Sequence, residues 1–397
     1  MAIPSIAMIP SGYKDGKVYS VLPTNGDGDF TFARTSAATR LNSNGLIEEV
    51  GIGKPRLDYS DGTCPSLLLE PTSTNLISTS DSGNYGSPPA SEILTISPDG
   101  TNNAVIPVPN AVSNRYRGSV AGGTYLSGQK LTYSWYRKRI STPTGVSVTG
   151  DLHIKSLVNL TELETSNATQ IESDINGFDR FQAVVEIIDG SLVSTFRAYF
   201  GDVVEVGNSS VAYFGHQYEV GSYATSLINT VGTTQTRVAD TATGSGNSTV
   251  INSSEGVFYA EISALADDLS DRWITIRENA NATDNQINIR YAASTNLIQA
   301  VSRSAGLGQD VVLQYNAPSI TDFNKVAVKY KLNDWALWVN GIEVDTVISS
   351  TPFTANSLDK LDFNSGTGSK PFYGKTKDVR VYTTALSDAE LTTLTTI

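Results

Sequence analysis

One cysteine in 397 residues, Cys64, leaves the chain without an intramolecular disulfide, a two-cysteine metal site or a dithiol redox pair. With no histidine beside it in sequence, Cys64 reads as a bystander thiol, not a nucleophile. Only two histidines are present, His153 and His216, so Ser-His-Asp catalysis is poorly supplied. Basic charge is short as well: 28 Lys and Arg against 40 Asp and Glu give a net charge of −12. Such a surface repels phosphate backbones and argues against nucleic acid as a partner. No apolar run is long enough for a membrane-spanning helix, and the start MAIPSIAMIPSGYKDG lacks the basic flank and apolar core of a signal peptide. Folding in a cytoplasm is expected.

What is present favours strands and turns. Charged residues make up only 17% of the chain, with 33 glycines and many Ser, Thr and Asn, while helical heptads are absent. The expectation is an all-β fold in roughly two to three domains. The organising stretch runs from Phe30 to Ile77. Its short apolar pieces are cut by Asn44-Gly45 and Asp61-Gly62, which supply the positive φ of tight turns. Nothing in it pairs a nucleophile with a base, so by its chemistry it is a scaffold.

Arg34, Ser36 to Arg40, Gly45 to Ile47, Pro55-Arg56, Asp58-Tyr59, Leu67 to Glu70 and Thr74 to Leu76 together resemble a segment found in tailed-phage virion proteins, ahead of carbohydrate-binding-like β-domains. The resemblance implies a virion part, with residues 1–77 as an anchoring scaffold segment. Within it, Met1 to Asp29 reads as an extended arm that either docks on a neighbouring subunit or packs on the segment that follows.

Residues 78–240 carry strand-like runs at Gln129 to Arg137, Leu152 to Val158, Phe178 to Ile188, Val193 to Phe200 and Ser210 to Val220, with turns at Asn176-Gly177 and Asp189-Gly190. On SPDGT (Ser97 to Thr101), LTYSWYRK (Leu131 to Lys138), FGHQYEVGSYATSLINT (Phe214 to Thr230) and TRVAD (Thr236 to Asp240), this part resembles a carbohydrate-binding jelly roll. Phe214 stands where that family often has Trp, and His216 where it has a small residue, which leaves the ligand open. Residues 241–253 read as a small, polar linker. Residues 254–397 hold further alternating runs, an Asn340-Gly341 hairpin and a capping box at Ser387 and Glu390. On Lys325 to Val344 and Tyr373 to Leu391 they resemble a concanavalin-A-like, laminin-G-like sandwich. The fold class expected is therefore a turn-rich N-terminal segment followed by two β-sandwich domains.

Sugars are held by aromatic faces flanked by amides, carboxylates and guanidinium groups. Strand parity puts Ala212, Phe214, His216 and Tyr218 on one face and Tyr213, Gly215, Gln217 and Glu219 on the other. The first is the expected core, with His216 a satisfied core histidine. The second is a candidate ligand face, read against the alternative of plain solvated side chains. Trp335, near the Asn333-Asp334 bend, is the candidate exposed aromatic, while Trp273 and Trp338 sit mid-strand as core. Asp267, Asp268 and Asp271 are candidate ligands of a structural Ca²⁺; no other cofactor is expected. A Glu-x-Asp-x-Glu glycosidase strand is missing, and Glu343 and Asp345 have no third partner, so no catalytic residue is assigned. The reading is a phage fibre, spike or decoration protein that binds host-surface glycan, contacts other virion proteins and forms a homo-oligomer, with a trimer implied by the resemblance and a docked monomer left open. The alternatives are a purely structural decoration protein and a polysaccharide depolymerase.

Overall fold

The alternation Val257-Phe258-Tyr259-Ala260 decides where the principal layer begins: even positions enter one core, odd positions another. The computed structural model describes residues 2–80, 91–108, 115–121, 125–140, 153–158, 161–187, 195–202 and 211–397. Among them, thirty-one strands stand beside one α-helix, Asp388–Thr395, as the all-β expectation requires. Two compact units interleave in sequence: Met1–Thr35, Gly51–Pro71 and Ala239–Ile397 make the first, Ser36–Val50 and Thr72–Val238 the second.

In the first unit, Glu255–Ala264 lies between Asn324–Lys331 and Gly374–Tyr382 in an eight-stranded sheet. A five-stranded sheet runs in the order Gln309–Asn316, Leu297–Arg303, Gln286–Tyr291, Arg272–Glu278, Leu358–Asp362. Phe258 and Ile262 from the larger sheet share one core with Ile274, Ile276, Ile287 and Ile289 from the smaller. The other face of the larger sheet, with Tyr259, Trp338 and Tyr382, is covered by Leu391 and Leu394 of the helix. The expected capping box opens that helix, the Ser387 N–H and Oγ both reaching the Glu390 carboxylate at 3.1 and 2.9 Å. Asn340 and Gly341 take φ of 51° and 88°, the pair of positive values that closes a two-residue hairpin.

The N-terminal residues are part of this sandwich, not a separate domain over 1–77. Ile6–Met8 pairs with Gly374–Tyr382, Ile6 opposite Val381, and both Ile6 and Met8 are buried. Ser66–Leu69 adds to the same strand, with Leu67 opposite Thr376. The arm packs on the segment that follows it, Lys17–Val18 pairing with Phe30–Ala33, and also on the distant strand Gly374–Tyr382. The expected strand at Lys17 to Leu22 shortens to Lys17–Val18. The expected linker 241–253 is structured as well: Thr241–Thr243 pairs with Phe30–Ala33, and Ala242 and Ile251 enter the core. Small polar composition hides this, because two of the four buried side chains in the run, Ser245 and Ser253, are themselves polar.

Four fully or nearly buried charges join these pieces. The Arg34 guanidinium donates to Asp240 at 3.0 Å, Arg56 donates to both Glu70 and Asp240, and the Glu70 N–H donates to Asp240 at 2.9 Å. Burial opposes the Arg56 charge, yet Asp240 and Glu70 outweigh it and hold the pKa above its ordinary value. Two cations and two anions thus satisfy one another.

In the second unit, the six-stranded sheet runs Ser91–Thr95, Ala104–Val108, Val211–Val220, Lys130–Arg139, Phe178–Glu186, Thr169–Ile175. A four-stranded sheet holds Arg115–Ala121, Thr195–Asp202, His153–Val158 and Thr161–Asn167. The hairpin Ala38–Leu41/Ile47–Val50 belongs to this unit, so it extends beyond the expected 78–240. Leu152, Val193 and the expected Asp189-Gly190 turn lie outside the described residues.

Candidate functional site

Strand Val211–Val220 does not keep the parity read from sequence. Its register against Lys130–Arg139 shifts between Ser134/Gln217 and Tyr136/Phe214, a β-bulge at Gly215. Gly215 has φ 62°, and a Cβ there would lie 2.8 Å from the Tyr136 ring, so the bulge requires glycine. The bulge exchanges the two faces. Tyr213 joins Tyr218 in one apolar cluster, whereas Ala212 and Phe214 join another. Tyr213 therefore does not share the face of Gln217 and Glu219, and all three are buried.

The polar pair instead holds a loop. Gln217 Nε2 donates to Glu219 at 2.6 Å and its Oε1 accepts the Ile228 N–H at 2.6 Å. Glu219 accepts the Thr225 N–H at 3.0 Å and the Ser73 hydroxyl at 2.6 Å. Beside them, Asn75 spans four backbone groups, donating to the His216 and Ile228 carbonyls and accepting from Ile77 and Tyr218. His216 is a core histidine as expected, its Nδ1 2.6 Å from the Tyr133 hydroxyl, and burial pulls its pKa down to about 3.

Trp335 is not exposed: at 3% accessibility it packs against Tyr330 and Phe353. Its position at the start of strand Trp335–Val339 puts it on the core-facing side with Leu337, which the nearby bend concealed. It forms the floor of a hollow of about 170 Å³ rimmed by Leu332, Pro352 and Phe353. Each of the three loop aspartates has a partner: Asp268 pairs with Arg272 and Asp271 with Lys370, both at 2.6 Å, and Asp267 accepts the Asn296 N–H at 3.1 Å. Among the described residues, no group of three His, Cys, Asp or Glu converges as a metal site.

A different surface collects binding chemistry. Because Ile274 and Ile276 enter the core, Trp273, Thr275 and Arg277 face away from it; by the same parity Gln286, Asn288 and Arg290 do so on the next strand. Register sets them in rows. Trp273, Arg290, Gln299 and Gln314 lie side by side, as do Thr275 and Asn288, and Arg277, Gln286 and Arg303. Arg290 donates twice to Gln299 at 3.0 and 2.7 Å, and its guanidinium stands 4.7 Å from the Trp273 ring. Burial lowers the Arg290 pKa, with Asp271 opposing the shift and Arg303 adding to it. Thr275 Oγ1, Gln286 Oε1 and Asn288 Oδ1 are buried with no hydrogen-bond partner. Three such groups on one face are costly unless a water or a ligand completes them. The RWITIRE and QINIRY alternation carried this face in sequence, but there an arginine-rich strand looks like ordinary solvated surface.

Comparison with known proteins bears on this sandwich. Residues 262–392, less than half of the chain, match the family described as the concanavalin A-like lectin/glucanases superfamily. No curated protein matches the chain. Among solved structures, the chain is similar to the CBM40 of Ruminococcus gnavus IT-sialidase, at 20% identity over 39% of this chain and 94% of that one, with a TM-score of 0.32. The same module bound to alpha2,3 sialyllactose gives 18% identity over 38% and 93%, TM-score 0.32. A leech intramolecular trans-sialidase complexed with 2,7-anhydro-Neu5Ac gives 21% identity over 39% of this chain and 26% of that one, TM-score 0.32. Overlap at that level carries no argument about this chain's ligand.

Proposed function

We propose that this is a non-enzymatic, glycan-binding protein of a tailed-phage particle, holding host-surface polysaccharide on the polar face of its five-stranded sheet. The observation that carries the glycan reading is the set of three buried, unpartnered polar atoms at Thr275, Gln286 and Asn288, flanked by Arg277, Arg290 and Trp273. Hydroxyl-rich ligands supply the donors that two amide oxygens need, and guanidinium groups donate in return. The match of residues 262–392 to a lectin and glucanase superfamily supports the same reading. The string from Arg34 to Leu76 supports a place on a virion, reached after synthesis in the host cytoplasm, with other virion proteins and further copies of the chain as neighbours. Each site would hold sugar at about millimolar to micromolar strength, with avidity from repetition on the particle.

The test is binding of the full-length protein to host cells and to stripped surface polysaccharide. Asn288→Leu and Thr275→Val remove the unpartnered atoms at nearly constant volume. They are expected to leave thermal stability unchanged or slightly higher while lowering affinity about tenfold or more. Saturable binding that both variants retain overturns this site; no binding at multivalent display overturns the glycan reading. Release of reducing ends from the polysaccharide would overturn the non-enzymatic part. A structural decoration role is the second reading, favoured by the burial of Tyr213, Gln217, Glu219 and Trp335.

A further inference from the structure

The second unit contains a hollow of about 370 Å³, within the range of small-ligand pockets. Three short segments wall it: Ser36 to Thr39, Leu227 to Asn229, and Gln235 to Arg237. The first is part of the organising string, and its Ala37 and Ala38 leave the space that larger side chains would fill.

The walls are fixed to one another before any ligand arrives. The Thr39 hydroxyl donates to the Leu227 carbonyl at 2.6 Å, and the Val238 N–H donates to Ser36 Oγ at 2.9 Å. Ile228 is held at both ends of its peptide, its N–H by Gln217 and its carbonyl by Asn75. Arg237 is buried and donates to Thr225 Oγ1 at 3.1 Å. A pocket so tied loses little entropy on filling.

Its chemistry selects a class of ligand. Exposed Asn229 and Gln235 bring amide groups to the lining, the Gln235 nitrogen donating to Thr233 at 3.2 Å, and the exposed Thr236 hydroxyl lies 2.8 Å from that of Thr74 with a further lone pair to offer. Leu227, Ile228 and the 86% exposed Val231 supply an apolar side. The two charged lining residues, Glu49 and Arg237, are of opposite sign, so the hollow favours neither anion nor cation. Alternating hydroxyls and C–H faces within a neutral skeleton match that lining. We propose that this hollow is a second saccharide site, for a neutral glycan of one or two rings, built jointly by the organising string and the segment that ends in Arg237. With no aromatic platform in its lining, its affinity falls in the millimolar range.

The experiment is a titration of the full chain with glucose, galactose, N-acetylglucosamine and their disaccharides, with glucuronic acid alongside, followed by ligand-observed NMR. At least one neutral sugar is expected to bind at about millimolar strength, with glucuronic acid weaker. Asn229→Ala and Gln235→Ala, both at exposed positions, are each expected to weaken binding severalfold, and Ala37→Trp to abolish it by filling the space, all with an unchanged melting temperature. No binding of any neutral sugar up to about 50 mM, preference for the uronic acid, or binding intact in all three variants overturns the proposal. Asn288→Leu is expected to leave this binding untouched, so failure here is distinguishable from failure of the polar-face site.

Discussion

His216 carries one of the chain's two imidazoles into a fully buried setting between Tyr133 and Tyr213. Its folded pKa of about 3 lies below the unfolded value near 6.5. The imidazole is thus neutral in the fold and protonated in the unfolded chain below about pH 6.5. The unfolded state then binds the extra proton, so stability is complete above that pH and falls as pH drops towards 3, by up to ~1.4 kcal/mol per unit. Denaturant titrations of the wild type at pH 7 and 4.5, set against His216→Gln, are expected to show a shallower pH dependence in the variant. Equal slopes would mean that the ring is reached by water or acid. At this scale the sequence was legible for His216 only in its alternation with Tyr218, and illegible for Tyr213, since a single bulged residue at Gly215 exchanges faces.

Between elements, the salt-bridged quartet Arg34, Arg56, Glu70 and Asp240 explains much of the organising string. The charges that look like surface residues in sequence are buried partners that fix where Phe30–Ala33, Arg56–Asp58 and Ser66–Leu69 meet the segment after Arg237. Asp240→Ala removes the partner of two buried guanidinium groups and is expected to cost ~3–5 kcal/mol in the first unit. Asp240→Asn, which keeps the hydrogen-bonding shape, is expected to cost less. Urea midpoints of the two variants check the order; a neutral Asp240→Ala would show that the quartet adds nothing to stability. Other elements were plain in sequence. The Asn340-Gly341 hairpin and the Ser387/Glu390 capping box are set by residues within four positions of one another, and both formed as expected.

For the molecule, the consequence of interleaving is that the C-terminal sandwich is not a detachable domain. Ile6, Met8, Phe30, Phe32, Leu67 and Leu69 all belong to its core. A fragment of residues 254–397 is expected to be insoluble or to melt well below the full chain, because it loses the strands Ile6–Met8 and Ser66–Leu69 from its eight-stranded sheet. Recovery of a stable, cooperatively melting fragment would contradict that. The −12 net charge argues against a polyanionic partner over the whole surface, while arginines concentrate on one sheet face.

The all-β class, the strand-and-turn grammar, the hairpin and helix cap, and the alternation that sends isoleucines inward can be read from the residue order alone, because they depend on backbone preference and on neighbours a few residues apart. Whatever depends on distant partners was settled by the closed fold. It placed residues 1–35 and 51–71 in the C-terminal sandwich, and it buried Gln217 and Glu219 around Thr225. It also put Trp335 beneath Phe353 and left Thr275, Gln286 and Asn288 without partners on one face. Burial and pairing are properties of surfaces that meet only when the chain has closed, and no window of sequence contains both sides.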